Sequence, residues 1–381
     1  MKYFVFIYIM CLVLYLFYLF NGHKKCNNSL IIIFFAILLA GHSFVEPLSL
    51  PDLPSYLELY NEVYNVKSSL ESLILLNLTY SMELGYVFFN KLCSHISQDF
   101  GFFLLIVNFI LLVSYFKIIV NYSPYIYLSI ILFVLTTYGQ SYFVLRQHLA
   151  VGVILLTYPA IINRELKKFI IFSFIAFLLH KSSLIWFPIY FIYGIKNNKK
   201  LIISLICSAI FLSLVFSKLS IITDYLKIGY GTYIDGEKEG AANFTEFFLA
   251  IIFLSTSIFF QRRMILHKGI NKLVFIAFSI NTIMSLVGVN LGILTRLKLY
   301  YFISIIFIIP LTVKYINTKI LRFFYIFTII SILTIQTFWG SNAANFENMK
   351  LDDPSLVNLV FYIIMIFIFM GMTKYFKFKV K

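Results

Sequence analysis

Long apolar runs dominate this chain. They fall near residues 3–20, 30–45, 101–120, 124–140, 147–162, 169–180, 183–195, 201–217, 245–261, 273–290, 298–313, 323–340 and 356–372. Lipid offers the backbone no hydrogen-bond partner, so a run that crosses a bilayer must be helical. The pattern predicts an all-α polytopic transmembrane helical bundle of 11–13 spans, one integral membrane domain over residues 1–381. The pair 169–180 and 183–195 is short for full spans and fits a tilted pair or a re-entrant hairpin. Residues 124–162 form one nearly unbroken apolar block. At 1.5 Å per residue this is about 58 Å of helix, roughly two spans. The block must therefore turn back, and the polar stretch "YGQSYFVLRQH" marks where.

Charge orients the bundle. With loop 21–29 (Lys24, Lys25) inside, alternation puts 163–168, 196–200, 262–272, 314–322 and the C-terminal tail inside too, and all of these are basic. Loop 46–100, with seven carboxylates against two lysines, falls outside, as does the acidic loop 341–355. The positive-inside rule then gives an N-terminus outside and a C-terminus in the cytoplasm. Arg146, His180, Lys181 and Arg296 come to lie at outer turns.

Composition agrees. The chain is 61% hydrophobic and 12% charged, with a mean hydropathy of +0.91, more apolar surface than a soluble core absorbs. The net charge of +15 is the sum of short basic loops; no basic run interleaved with aromatics suggests nucleic acid. Cys11, Cys26, Cys93 and Cys207 lack metal-site spacing and suggest no intrachain disulfide. Phosphate-loop, dinucleotide, zinc-protease and nucleophile-elbow motifs are absent. "IDGEKEG" at 234–240 is out of register for a calcium loop and reads as solvated.

Polar residues gather in and near the outer loop. "PDLPSYLELYNEVYN" carries Asp52, Tyr56 and Tyr60 on one helical face, and "SMELGYVFFNKLCSHI" carries Glu83, Tyr86 and Asn90. Their remaining positions are largely apolar, so amphipathic helices along the membrane surface are expected here. A solvated loop is the plainer reading of each residue. Carboxylates with tyrosines also suit sugars. Arg146 and Arg296 each fit interfacial snorkelling; as a pair they fit a diphosphate, which guanidinium forks bind bidentately. His180 in "FLLHKSSLIW" suits either a structural hydrogen bond or catalysis, and Lys181 follows it at the turn.

Three stretches together, "VLRQHLAVGVILL", "NRELKKF" and "FLLHKSSLIWFPIYF", resemble the core of the EpsG-type polysaccharide polymerases, relatives of the Wzy-type O-antigen polymerases. "PDLPSYLELY" and "ELGYVFFNKL" resemble that family's outer-loop elements, and "RLKLYYFISIIFIIP" at 296–310 its late Arg–Tyr–Pro span. The order matches over roughly residues 46–310. Asp52 lacks the glycine that often precedes it in the family.

The resemblance implies a glycosyltransferase C-like bundle in the bacterial inner membrane. It would join oligosaccharide repeat units carried on undecaprenyl diphosphate into O-antigen or capsule, without metal, cofactor or nucleotide sugar. Membrane lipid and a chain-length regulator protein are the other partners implied. Leaving-group charge would fall to Arg146, Arg296 and Lys181. The general base would be Glu83, then Asp52, then His180. Tyr56, Tyr60, Tyr86, Asn90 and Gln147 would position sugars. A ligase shares this chemistry. A flippase predicts polar residues deep in several spans and an internal repeat, and an acyltransferase predicts an acid beside His180; the sequence shows neither pattern.

Overall fold

In the computed structural model the described residues are 2–20, 28–50, 52–66, 69–196, 200, 203, 243–261, 269–287, 297–339, 350 and 355–373. Arg296, the apolar run 201–217 apart from Ile203, the 234–240 loop, Cys26 and Cys207 lie outside them. Among the described residues the protein is helical and has no strand. In chain order the helices are α1 (Lys2–Phe20), α2 (Asn28–Ser43), α3 (Leu53–Asn65), α4 (Leu70–Tyr80), α5 (Leu84–Ser94) and α6 (Phe100–Tyr122). Then come α7 (Ile126–Phe133), α8 (Leu145–Leu155), α9 (Thr157–Ile162), α10 (Leu166–Leu179) and α11 (Ile189–Gly194). Last are α12 (Asn243–Gln261), α13 (Ile270–Val287), α14 (Leu299–Phe302), α15 (Ile305–Tyr315), α16 (Lys319–Trp339) and α17 (Leu356–Thr373).

Four described segments are long and apolar enough to cross a membrane: Phe100–Tyr122, Leu145–Ile162, Lys319–Phe338 and Leu356–Thr373. The bent pair α4 and α5 makes a fifth if counted as one broken span. Among the described residues, shorter apolar helical stretches of 10–17 residues lie within α1, α2, α12 and α13, across α7 and the turn after it, and across α14 and α15. This is a helical membrane bundle, as the pattern of apolar runs led us to expect, and several of those runs are broken. The 124–162 block breaks where its polar residues predicted. After α7 a π-helical turn (Val134–Tyr138) and a 3-10 turn (Gln140–Tyr142) intervene before α8 begins at Leu145. The run 183–195 is a 3-10 turn (Lys181–Trp186) and the six-residue α11. The apolar window of α16 is only 11% buried and that of α17 22%. Exposed Phe323, Phe327, Val360 and Phe367 would be costly in water and suit lipid.

The chain forms two compact units. The first comprises residues 1–156, 171–182 and 327–381. Helix α6 is its core element and packs against α2, α8 and α17. Phe35 stacks on Phe369 at 3.6 Å between ring centroids and meets Phe116 edge-on. Asp99 caps α6 through Gly101 N–H, and its other oxygen accepts from Asn358 Nδ2 and Ser355 Oγ near the start of α17. The second unit comprises residues 157–170 and 183–326. Here α13 packs on α9, α11, α12 and α15. Trp186 stacks on Tyr158 and donates from Nε1 to Thr157 Oγ1 at 3.0 Å.

Candidate active site

Glu83 is the centre of the site, and the local sequence explains why its carboxylate is available. Helix α4 ends on Ser81 in the left-handed conformation (φ 50°). The chain then bends by 118° into α5. Glu83 holds the N-cap position of α5 in extended backbone, but its side chain does not cap its own helix. It reaches across to two other elements of the same unit.

One is the start of α8. Arg146 lies in the first turn of that helix, where the positive end of the helix dipole disfavours a cation. Its Nη1 donates to Glu83 Oε2 at 2.6 Å. The other is the end of α10. His180 Nδ1 stands 2.8 Å from Glu83 Oε1, at ion-pair distance. Oε1 also accepts the backbone N–H of Lys181 at 3.2 Å. Gly85 makes this junction possible. A Cβ at residue 85 would fall 2.5 Å from the Leu178 carbonyl oxygen, so only glycine lets the start of α5 lie against the end of α10.

The side chains are 8% (Glu83), 21% (Arg146) and 18% (His180) exposed. A buried carboxylate costs several kcal/mol unless partnered. Burial alone would push the Glu83 carboxyl up. Contact with His180 and the charges of His180 and Arg146 outweigh it and hold the group down at about 2. Glu83 is thus an anion throughout the ordinary pH range.

Aromatic rings fix the guanidinium. Its central carbon is 5.8 Å from the Tyr56 ring centroid and 6.0 Å from that of Tyr86, and the two rings meet edge to face. Cation–π contacts of this kind contribute about 0.5–2 kcal/mol. Lys91 holds α3 beside α5 by donating from Nζ to the Val63 and Val66 carbonyls as α3 ends.

Of the residues singled out in the sequence, Glu83, Arg146, His180, Tyr56 and Tyr86 come together, with Lys181 joining through its backbone. The Lys181 side chain is exposed. Asp52 precedes α3 and is exposed; its charge is felt at the Tyr56 hydroxyl. Tyr60 faces elsewhere: its hydroxyl donates to the Ser97 carbonyl and its ring packs on Phe100 and Phe103. Asn90 is buried and bonds the Tyr86 carbonyl within its own helix. Gln147 is buried in α8.

One polar cluster was not foreseen. His148, two positions past Arg146 and so on the opposite side of α8, is buried with neither ring nitrogen hydrogen-bonded. His42 is buried too, bonding the Ser141 carbonyl and stacking on Tyr142. In the sequence the only signal was the histidine within an apolar run.

A model of the EpsG family matches residues 29–352. No curated protein and no solved structure matches the chain.

Proposed function

The chain belongs to the EpsG family, a Wzy-type polymerase-like family, and from that premise we propose a specific reaction. The protein joins oligosaccharide repeat units, carried on a polyprenyl diphosphate such as undecaprenyl diphosphate, into a surface polysaccharide of the O-antigen or capsule type. The work takes place at the outer face of the bacterial cell membrane, to which the charge of the loops assigns residues 46–100. A growing chain leaves its lipid diphosphate and passes to a hydroxyl of the incoming unit.

The observation that supports this reading best is the buried Glu83–Arg146–His180 cluster. Glycosyl transfer from a lipid diphosphate needs a cation for the leaving group and a proton acceptor for the attacking hydroxyl. The cluster offers both within 3 Å of one carboxylate. It is built from the same segments that carry the family resemblance.

Deleting the gene tests the reading. Cells should accumulate single repeat units on the carrier lipid at the outer face and lose long polysaccharide. Long chains left on the carrier would mean a ligase. Repeat units confined to the inner leaflet would mean a flippase.

A further inference from the structure

Glu83 has no oxygen to spare. Its Oε2 takes Arg146, while Oε1 accepts Lys181 N–H and faces His180 Nδ1. We propose that His180, and not Glu83, takes the proton of the attacking hydroxyl, that Glu83 is the positioning residue for its ring, and that Arg146 is shared between Glu83 and the incoming anion. This rests on the reaction proposed above.

The geometry argues each part. The Glu83 carboxylate lies 2.8 Å from Nδ1, out of line for a hydrogen bond in this structure, and a small turn of the ring would let it hold the proton on Nδ1 and leave the Nε2 lone pair to act as acceptor. The carboxylate also stabilises the imidazolium that forms. As a base Glu83 itself would be poor, because the contact with His180 and the charge of Arg146 stabilise its anion and make it reluctant to take a proton. Arg146 spends Nη1 on Glu83, and its Nε is buried with no acceptor. The guanidinium also meets the Tyr56 hydroxyl, so the buried Nε–H is the donor left unpaired, and an incoming anionic oxygen would satisfy it. The charged and titratable groups around His180 are Glu83 in direct contact, Arg146 behind that carboxylate, Tyr56 and Tyr86 flanking the arginine, and the exposed Lys181 next in sequence.

In the reaction the acceptor O–H proton passes to His180 Nε2. The acceptor oxygen forms a bond to the anomeric carbon of the lipid-linked sugar. The bond from that carbon to the diphosphate breaks, and its electron pair leaves with the diphosphate oxygen, whose added charge Arg146 neutralises. His180 then returns its proton to the departing diphosphate.

The probe is the lipid-linked repeat unit extracted from cells lacking the gene, given to the purified full chain in detergent. His180→Ala should lower kcat at least about 100-fold with little change in KM, and added imidazole should restore part of the rate. Glu83→Gln should lower kcat about tenfold or more and alter the pH profile, without raising KM for the lipid-linked unit. If Glu83→Gln abolishes turnover while His180→Ala keeps most of it, Glu83 is the base and the assignment is wrong. An inactive His180→Ala that imidazole cannot rescue would make the histidine structural and would overturn it equally. Inorganic pyrophosphate tests the sharing of Arg146 independently of the reaction. Its binding, read by thermal shift, should tighten about tenfold in Glu83→Gln and vanish in Arg146→Ala; weaker binding in Glu83→Gln overturns the sharing. A wild-type protein that binds pyrophosphate but never extends the repeat unit overturns the polymerase reading and the proton transfer with it, while leaving the arginine result standing.

Discussion

Arg146 and Glu83 are 63 positions apart in the chain and 2.6 Å apart in space, through a single Nη1 to Oε2 contact. That one bond joins the bend between two loop helices to the first turn of a membrane span. It also sets a cation at a helix N-terminus, where it would otherwise be disfavoured.

The pair makes the arginine's chemistry testable. Arg146→Lys keeps the charge but loses the planar fork. It should shorten the polysaccharide nearly as much as Arg146→Ala, read as ladder length on a gel at matched protein levels. A lysine snorkels as well as an arginine, so full-length ladders from Arg146→Lys would reduce the residue to a membrane anchor.

Orientation is a second expectation. Glu58 is an exposed position on α3. A cysteine placed there should react with a membrane-impermeant maleimide in intact cells stripped of their outer layers. Reaction only after permeabilisation would put loop 46–100 in the cytoplasm and remove the outer-face site.

Much of this was legible in the sequence, for identifiable reasons. The break near Gly139–Val144 follows from block length, since about 58 Å of helix exceeds one bilayer. The helices α3 and α5 follow from the spacing of their apolar and polar positions. The convergence of Glu83, Arg146 and His180 was not legible, because it depends on Gly85 fitting against Leu178 and on a bend at Ser81. Tyr60 and Tyr86 read alike along the sequence, yet one supports a loop and the other lies beside the arginine. That difference depends on which helix packs opposite, and periodicity carries no information about it.

Gly85 supplies a third prediction. In Gly85→Ala the new methyl meets backbone, the Leu178 carbonyl, at 2.5 Å. Backbone cannot rotate away as a flexible side chain can, so α5 must move off α10. Overpacking of this kind costs about 1–3 kcal/mol. The variant should reach the membrane yet lose most polymerisation, because Glu83 no longer meets His180. Wild-type polymer from Gly85→Ala would show that the junction tolerates movement.

Acid should dissolve the cluster in a defined window. The Glu83 carboxyl lies below its ordinary value of 4.5, at about 2. A carboxyl depressed by folding adds stability that is complete above its unfolded value and lost as pH falls through the folded one. The contribution is on the order of 3 kcal/mol. The gap in Tm between wild type and Glu83→Gln, measured in detergent, should therefore hold steady above pH of about 5 and close between about 4.5 and 2. A gap that persists at the acid end would mean that the carboxylate contributes nothing through its charge.

The second unit offers a check on hydrogen bonding that is separate from the site. Trp186 is fully buried, and its Nε1–H donates to Thr157 Oγ1 at 3.0 Å. Thr157→Val preserves the shape of the side chain but leaves that indole N–H buried without an acceptor. Such an orphaned donor costs about 1–3 kcal/mol, more than the net value of the bond itself. Thr157→Ser removes only a methyl and keeps the oxygen, so its cost should stay under about 1.5 kcal/mol. The chain has two tryptophans, and with Trp339→Phe as background the fluorescence reports Trp186 alone. Thr157→Val should shift that emission to shorter wavelength, because the indole loses its hydrogen bond in an apolar setting, and should lower Tm by more than Thr157→Ser does. Equal losses from the two variants would show that the methyl's packing, and not the hydrogen bond, holds Trp186 against α9.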